Sequence, residues 1–406
     1  MDSIACDAAR GFHIRPAACP QEGNTPPKHT EPEFSLWHSP SFIQSAEPPG
    51  QHEASEGNCR GRSVAHPSLW SAFPQKLEHG ESLRSASTVS TQSRAILDIT
   101  VILCTYNRCR DLAGALESIA ASQVLSSVTW EVLVVDNNSA DQTRDVVEDF
   151  CRRHPERFRY IFEPKPGKSH ALNTGIASAG GEILVFVDDD VKVEPTWLQN
   201  LTAELLRNGE LAGAGGRTLP AQKFEPPDWV PEDFEKDWSG IVFAHFDLGD
   251  DAGELNRAPY GTNMAFRKSV FEKHGGFRID LGPAPGSQIR NEDTELGRRL
   301  LAAGERLRYE PSAVVYHPVP DGRITQGYFL AWWFDYGRAR VREFGVWPNV
   351  YGIPRDHLRL MRSSIRIAVL TLRWLLTIHP KKRFVCKCWV WKEAGQMVEL
   401  YRRSIR

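Results

Sequence analysis

The chain has 406 residues, of which 41% are hydrophobic, 10% aromatic and 25% charged. This composition excludes a fully disordered, collagen-like or disulfide-dense chain, and the length predicts one large or two smaller domains. The formal net charge of -2 is divided unevenly, because residues 338–406 contain sixteen Lys and Arg against four Asp and Glu. A basic C-terminal segment on an acidic body indicates an anionic partner, either a membrane surface or nucleic acid.

Cysteine usage and targeting signals indicate the compartment. The eight cysteines form no Cys-x-x-Cys pair. A structural zinc site therefore lacks its usual spacing, and free thiols in a reducing compartment are expected. We find neither a signal-peptide pattern nor an uninterrupted apolar stretch of transmembrane length. We therefore expect a cytoplasmic protein.

Residues 1–94 are rich in Pro, Ser and Gly and show no sustained apolar periodicity. Such a stretch cannot bury enough apolar surface to offset its chain entropy, so a disordered leader is expected. A start codon assigned too early and a regulatory arm are the alternatives.

From residue 95, short β-branched runs alternate with amphipathic segments of helical spacing. The predicted strands are 99–104, 131–135, 158–162 and 182–187, and the predicted helices are 110–122, a segment around 146–150, 168–179 and 195–207. This alternation predicts an α/β fold with a mostly parallel sheet flanked by helices. A further helix is expected to begin at Glu292, and a further strand to end at His317.

Polar clusters follow three of the predicted strands, at residues 105–108, 136–139 and 188–190. Ligands of parallel sheets bind beyond the carboxyl ends of the strands. The Asp188–Asp190 triplet is either a solvated loop or a site for Mg²⁺ or Mn²⁺ that also holds a diphosphate, and its place at a strand end favours the metal site.

Four later residues leave two interpretations each. Lys168 lies in a Gly-Lys-Ser sequence, but Phe162 stands where a P-loop needs Gly, so a P-loop NTPase is excluded. Lys168 is then a phosphate contact or a solvated lysine. Glu292 and Asp293 either only stabilise the N-terminus of a helix through its dipole, or one of the two carboxylates is a general base. His317 is either an ordinary surface or core histidine or a metal ligand, and its place at a strand end, after the Asp triplet earlier in the chain, favours the ligand.

Five segments in this order carry a resemblance to a known family. They are VILCTYNR, EVLVVDNNSAD, PGKSHALNTGIASAGGEILVFVDDD, YGTNMAFRKSVF, and EDTELGRRLLAAG with its downstream histidine. Over roughly residues 99–318 the chain resembles the family 2 glycosyltransferases, nucleotide-sugar enzymes of the GT-A (Rossmann-like) fold. The resemblance implies inverting transfer of a sugar from a nucleotide-diphosphate sugar to an acceptor hydroxyl, with Mn²⁺ or Mg²⁺ as cofactor.

The resemblance also implies a role for each matching residue. The implied nucleotide-sugar-binding residues are Thr105, Asn107, Arg108, Asp136, Lys168, Asn173, Asp188 and Asp189. The implied metal ligands are Asp190, Asp188 and His317, with Asp189 able to replace either aspartate. Asp293 would be the catalytic base, with Glu292 beside it on the acceptor side.

The chain departs from the processive members of this family, because the Gln-x-x-Arg-Trp element and the multiple membrane spans are missing. This favours transfer of one sugar per acceptor, as in the biosynthesis of polysaccharide, glycolipid or another glycoconjugate. A UDP-sugar is the favoured donor, and the acceptor is expected to be a carbohydrate or lipid-linked.

We divide the chain into the leader 1–94, a GT-A domain at 95–320 and a basic, aromatic, helical tail at 321–406. On a helical wheel, Arg359, Arg362, Arg366 and Arg373 share one side of the tail, and Leu360, Ile367, Thr371, Leu375 and Ile378 lie roughly opposite. Trp374, Trp389 and Trp391 suit a membrane interface. The tail is either docked on the body or a peripheral contact with the anionic cytoplasmic face of a membrane. No nucleic-acid-binding motif accompanies the charge, so nucleic acid is not expected.

Two other function classes compete with this interpretation. The first is a catalytically silent nucleotide-sugar-binding scaffold, which the near-complete set of motifs disfavours. The second is a sugar nucleotidyltransferase, whose Gly-rich loop after the first strand is replaced here by residues 104–108.

Overall fold

A computed structural model describes residues 97–223, 226–230, 242–243, 245–344 and 355–404. All of them fall within one of the chain's two units, Thr88–Arg406. The leader predicted at 1–94 lies outside the described residues.

The described elements alternate as predicted over the first half of this unit. The strands are β1 (Leu97–Thr105), β2 (Trp130–Asp136), β3 (Phe158–Phe162), β4 (Gly181–Val187), β5 (Lys192–Val193), β6 (Leu211–Pro220), β7 (Gly253–Leu255), β8 (Asn263–Arg267) and β9 (Arg306–His317). The helices are α1 (Leu112–Ala120), α2 (Thr143–Arg153), α3 (Lys168–Ser178), α4 (Trp197–Arg207), α5 (Lys268–His274), α6 (Glu292–Ala302), α7 (Gln326–Phe344), α8 (Arg355–Leu376) and α9 (Pro380–Ser404), with a 3-10 turn at Asp321–Arg323 before α7. The helix expected to begin at Glu292 and the strand expected to end at His317 are both confirmed.

The strands form one sheet in the order β3-β2-β1-β4-β8-β6-β9-β5, with β7 paired to β9. The first four are parallel, as predicted. Beyond β4 the sheet is mixed, because β8 runs antiparallel to both β4 and β6 while β6 and β9 are parallel. The α/β fold with a sheet flanked by helices is therefore confirmed. The expected parallel pairing holds for β3-β2-β1-β4 and for β6-β9, and the antiparallel pairs of β5, β7 and β8 make the sheet mixed, which the sequence pattern did not indicate.

The register of the parallel strands aligns the three polar clusters. Thr105 at the end of β1 lies opposite Asp136 of β2, and Leu103 lies opposite Val187, the last residue of β4. Strand β2 pairs with one side of β1 and β4 pairs with the other, so the strand order reverses at β1. The crevice at such a switch point is where open α/β sheets bind ligands.

Helices cover both faces of the sheet, so β1 is apolar without alternation. Val101 and Leu103 pack into a core cluster with α1, α2 and α4. Ile102 points to the other face and packs into a second cluster with α3, α5 and α6.

The segment predicted as a tail forms three helices and shares a third core cluster with the preceding domain. α7 and α8 both pack against α9. Phe329 of α7 and Phe384 of α9 are buried in the same cluster as Phe243, which precedes β7. A side chain at Gly337 or Gly395 would clash with the facing backbone, so glycine permits the close crossing of α7 and α9. Across the described part of the chain, no helix has both the length and the apolar character needed to cross a membrane.

Candidate functional site

A cavity of about 1120 Å³ opens at the carboxyl ends of β1 and β4. It gathers side chains that the sequence analysis singled out in separate segments. The predicted site residues that line it are Thr105, Arg108, Lys168, Asp188, Asp189, Asp190 and His317. The strand-end clusters after β1 and β4 therefore meet in one cavity.

A smaller cavity of about 150 Å³ adjoins the first and is lined by Glu292 and Asp293. The residues that line both cavities are Lys168, Asp188, Pro283, Arg290, His317, Arg323 and Tyr328. All twelve predicted site residues are described, and nine of them line one cavity or the other.

Lys168, the first residue of α3, lines both cavities and interacts with a carboxylate of each. Its Nζ lies 2.6 Å from Asp188 Oδ1 and 3.7 Å from Glu292 Oε1. Burial alone would lower the Lys168 pKa, but the two carboxylates outweigh burial and raise it. Burial alone would likewise raise the Asp188 pKa, yet Lys168 holds it below its usual range. Lys168 and Asp188 therefore form a charged pair on the shared wall.

The other two aspartates of the triplet lie close to Arg108. Arg108 Nη1 is 3.3 Å from Asp190 Oδ2 and 3.5 Å from Asp111 Oδ2. Burial raises the Asp189 pKa to about 7, and the like charge of Asp190 adds to the rise. Asp189 and Asp190 are adjacent carboxylates, and Arg108 contacts Asp190. Such a pair favours the binding of a further cation.

His317 at the end of β9 turns an unprotonated nitrogen towards Asp190. Its Nδ1–H donates to the Pro318 carbonyl at 2.7 Å, which leaves Nε2 with a lone pair 3.7 Å from Asp190 Oδ1. Burial lowers the His317 pKa and so favours the neutral ring, against the pull of Asp190. A carboxylate oxygen and a neutral imidazole nitrogen that face one another suit a divalent cation, and the hydrogen bond on the other ring nitrogen is the usual support for a ligating histidine.

The predicted third ligand, Asp188, is engaged by Lys168 instead. In agreement with this, no group of three or more His, Cys, Asp or Glu side chains within the described ranges is arranged to hold a metal ion. The residues present therefore fit a cation through Asp190 and His317, with its remaining positions open to phosphate oxygens or water.

Asp293 and Glu292 begin α6 in different environments. The Asp293 Oδ2 atom accepts a hydrogen bond from the Gly261 backbone N–H at 2.7 Å, and Oδ1 accepts one from the Thr294 N–H at 2.6 Å. Glu292 is 5% exposed. Burial raises the Glu292 pKa to about 7, against the pull of Lys168. The pair thus provides one carboxylate held in place by backbone donors and one that can exchange a proton near neutral pH.

Three predicted binding residues lie outside both cavities and connect neighbouring strands and loops by hydrogen bonds. Asn107 accepts the Ala140 N–H at 2.7 Å and ties the loop after β1 to the loop after β2. Asp136 accepts the Tyr160 hydroxyl at 2.9 Å. Asn173 clamps Phe277 through hydrogen bonds of 2.8 Å to its N–H and its carbonyl.

Among the lining residues that the sequence analysis missed, Arg290, Arg323 and Tyr328 line both cavities. Arg290 lies two residues before Glu292, so its proximity to that motif was a usable signal. Arg323 and Tyr328 belong to the segment assigned to the tail, in the 3-10 turn and in α7. Because this segment was assigned to a tail on the basis of its net charge, neither residue was considered as part of the site.

The chain is similar to several known proteins. The model of the family described as Glycosyl transferase family 2 matches residues 100–275. The succinoglycan biosynthesis protein ExoM of Rhizobium meliloti is 30% identical over 237 residues, which cover 58% of this chain and 70% of that protein. The glucosyl-dolichyl phosphate glucuronosyltransferase of Haloferax volcanii is 25% identical over 251 residues, which cover 60% of this chain and 76% of that protein. A solved mannosyltransferase from Pyrobaculum calidifontis, in complex with GDP-Man and Mn²⁺, aligns with a TM-score of 0.49 and 20% identity over 76% of this chain and 86% of that one.

Proposed function

Because this chain belongs to glycosyltransferase family 2, we propose that it transfers a single sugar, with inversion, from a nucleotide-diphosphate sugar to an acceptor hydroxyl. The observation that carries the proposal is the shared wall of the two cavities. Lys168 and Asp188 lie between the cavity with the Asp triplet and the cavity with Asp293. A donor in the larger cavity can therefore present its anomeric carbon to an acceptor hydroxyl in the smaller one.

The cations of the larger cavity suit the donor's diphosphate. Arg108, Lys168, Arg290 and Arg323 all line it. Guanidinium groups match phosphate oxygens in charge and geometry. Asn107, Asp136 and Asn173 then act on the nucleotide indirectly, by bracing the loops that carry Arg108 and Lys168. A UDP-sugar is the proposed donor.

Asp190 and His317 would hold a divalent cation, Mn²⁺ or Mg²⁺. Such an ion supplies charge neutralisation for a leaving nucleoside diphosphate. Arg108 keeps Asp190 oriented from the other side, and the Pro318 carbonyl fixes the ring of His317. Asp188, held by Lys168, contributes its charge to the shared wall.

Asp293 is the proposed general base. Its two backbone hydrogen bonds orient the carboxylate, and each oxygen keeps a lone pair for the acceptor hydroxyl. Removal of that proton as the hydroxyl attacks the anomeric carbon, on the face opposite the leaving diphosphate, gives a single displacement and hence inversion. Glu292 lies beside it as a hydrogen-bond partner for the acceptor.

The relatives' names support an acceptor in carbohydrate assembly. ExoM is a succinoglycan biosynthesis protein, and the haloarchaeal relative acts on a glucosyl-dolichyl phosphate. We therefore propose a carbohydrate or lipid-linked acceptor and a role in polysaccharide or glycolipid biosynthesis. All five described cysteines are free thiols, which supports a cytoplasmic location. The proposed catalytic domain is 95–320, completed by Arg323 and Tyr328 of the following segment.

The test is a donor screen with the purified full-length chain. UDP-, GDP- and dTDP-sugars are each added with Mn²⁺, with Mg²⁺ or with EDTA, and thermal stability and released nucleotide are measured. We expect one nucleotide class to raise the melting temperature only with a metal, and to release nucleoside diphosphate slowly. In a parallel reaction with a nucleoside triphosphate and a sugar 1-phosphate, pyrophosphate release would identify a nucleotidyltransferase. Stabilisation by a nucleotide sugar without any product, with acceptor saccharides present, would identify a scaffold. Either result would contradict the proposal.

A further inference from the structure

One side of α8 presents a continuous apolar stripe to solvent. Six side chains between residues 361 and 376 recur at helical spacing and are 49% to 72% exposed, and Ile378, just beyond the helix, is 94% exposed. The stripe consists of Met361, Ile365, Val369, Leu372, Leu375 and Leu376. A contiguous exposed apolar surface of this kind is typical of an interaction site.

The opposite side of α8 is already occupied by α9. The Ser363 hydroxyl donates to Glu393 Oε2 at 2.9 Å, and Arg366 Nε lies 3.0 Å from Glu393 Oε1. Lys387 of α9 lies over the ring of Trp374. The stripe therefore points away from the helix pair, and burying it requires another surface.

This face differs from the one expected on the helical wheel. Leu360 and Ile367 were expected on the membrane side, but both are half-buried. Trp389 was expected at an interface, and its ring packs 5.3 Å from that of Trp333 on α7. Only Leu375 and Ile378 of the predicted apolar side are strongly exposed. Packing against α9 thus selects which of the two apolar sides of the helix stays outside.

Exposed cations border the stripe. Arg362 follows Met361, and Arg373 follows Leu372. Each arginine therefore lies 100° further round the helix, along the same edge of the stripe. Lys382 and Arg383 are also exposed, in the first turn of α9. Cations there oppose the helix dipole, so they do not serve the stability of α9.

We propose that α8 docks on an anionic lipid surface, with its axis in the plane of the interface and the stripe inserted among the acyl chains. Apolar insertion and cationic attraction are the two contributions that stable interfacial binding needs. A second copy of this chain is disfavoured, because an antiparallel two-fold contact through the stripe would bring the arginine edges of both copies together. The proposal concerns a surface of α8 and does not depend on the transfer reaction.

The experiment measures co-sedimentation of the full-length protein with lipid vesicles. Vesicles of phosphatidylcholine alone are compared with vesicles that also contain phosphatidylglycerol. We expect the parent protein to bind the anionic vesicles at least about tenfold more tightly. The double variant Ile365→Glu/Leu372→Glu should lose this binding. The matched control Leu125→Glu/Ile279→Glu introduces the same charges at positions 60% and 62% exposed, and should bind like the parent.

A second variant changes only the charge. Arg362→Gln/Arg373→Gln keeps the stripe and should weaken binding to anionic vesicles roughly fivefold for each arginine. Absence of parent binding to anionic vesicles, or equal binding by the stripe variant, would overturn the proposal. So would a parent dimer in analytical ultracentrifugation that the stripe variant converts to a monomer without any vesicle binding, since the occupant would then be a second copy.

Discussion

Glu292 in the smaller cavity and Glu399 in α9 are each 5% exposed, yet their surroundings differ. Glu399 accepts hydrogen bonds from Arg342 at 2.7 Å and from Arg338 at 3.2 Å. Although burial opposes it, this pairing lowers the Glu399 pKa. Lys168 lies 3.7 Å from Glu292 but closer to Asp188. The pKa of Glu292 is raised to about 7.

The difference separates a region kept ready for a ligand from a region built for stability. The helices α7–α9 neutralise their buried carboxylates internally. In the strand-end cavities, burial raises the pKa values of Asp189 and Glu292 to about 7, and carboxylates with such shifted pKa values concentrate at functional sites. Substitutions in the two regions should therefore change different quantities.

The largest expected effect is on turnover. Asp293→Asn keeps the size of the side chain but removes the base, so the rate should fall about 10²–10⁴-fold while donor binding stays nearly unchanged. The rate of nucleoside diphosphate release with acceptor and the donor-induced shift in melting temperature measure the two quantities. Asp251→Asn, at an exposed loop position, is the control. A wild-type rate in Asp293→Asn would remove this residue from the base role.

In the helical region the expected effect is on stability. Glu399→Ala leaves two half-buried arginines without their shared, buried partner, and should lower the free energy of unfolding by about 3 kcal/mol. Urea denaturation measures the change. Glu210→Ala breaks the exposed pair with Arg306, whose atoms are 3.0 Å apart, and should cost less than about 1 kcal/mol. Equal losses in the two variants would show that the α7–α9 pairing is no stronger than a surface pair.

For Glu292 the effect on stability should have the opposite sign, because removing its charge should stabilise the folded protein. Because its pKa is raised from 4.5 to about 7, the folded protein binds this proton more tightly than the unfolded chain does, and stability falls as pH rises between these values. Glu292→Gln removes the penalty, so at pH 8 it should stabilise the protein by about 2 kcal/mol, with little change at pH 4.5. Thermal unfolding at both pH values tests this, with the exposed Glu182→Gln as control. A destabilised variant at pH 8 would mean that the charged Glu292 is well paired after all.

The smallest effect concerns cation binding. Asp190→Asn should weaken Mn²⁺ binding at least about tenfold in isothermal titration calorimetry with MnCl₂. Asp111→Asn is the matched control, because Asp111 also contacts Arg108, at 3.5 Å, and is an exposed residue outside the Asp triplet. Unchanged Mn²⁺ affinity in Asp190→Asn would shift the proposed ligand to another carboxylate of the triplet.

The sequence alone determined the alternation of β1 to α4, the meeting of the 105–108 and 188–190 clusters, and the helix start at Glu292. These follow from local patterns, because a strand covered on both faces is continuously apolar and parallel strands end at a common edge. The antiparallel entry of β8 was not predictable in this way, since its partners β4 and β6 are distant in the chain.

Only the tertiary structure decided which charges pair and which faces stay exposed. Lys168 forms an ion pair with Asp188 of the triplet, whereas Asp190 faces His317. Asn107, Asp136 and Asn173 make hydrogen bonds to residues that are 24 to 104 positions away in the sequence. α9 covers one side of α8 and leaves the stripe outside. Hydrogen bonds and packing of this kind depend on contacts between distant segments, and local sequence patterns carry no record of them.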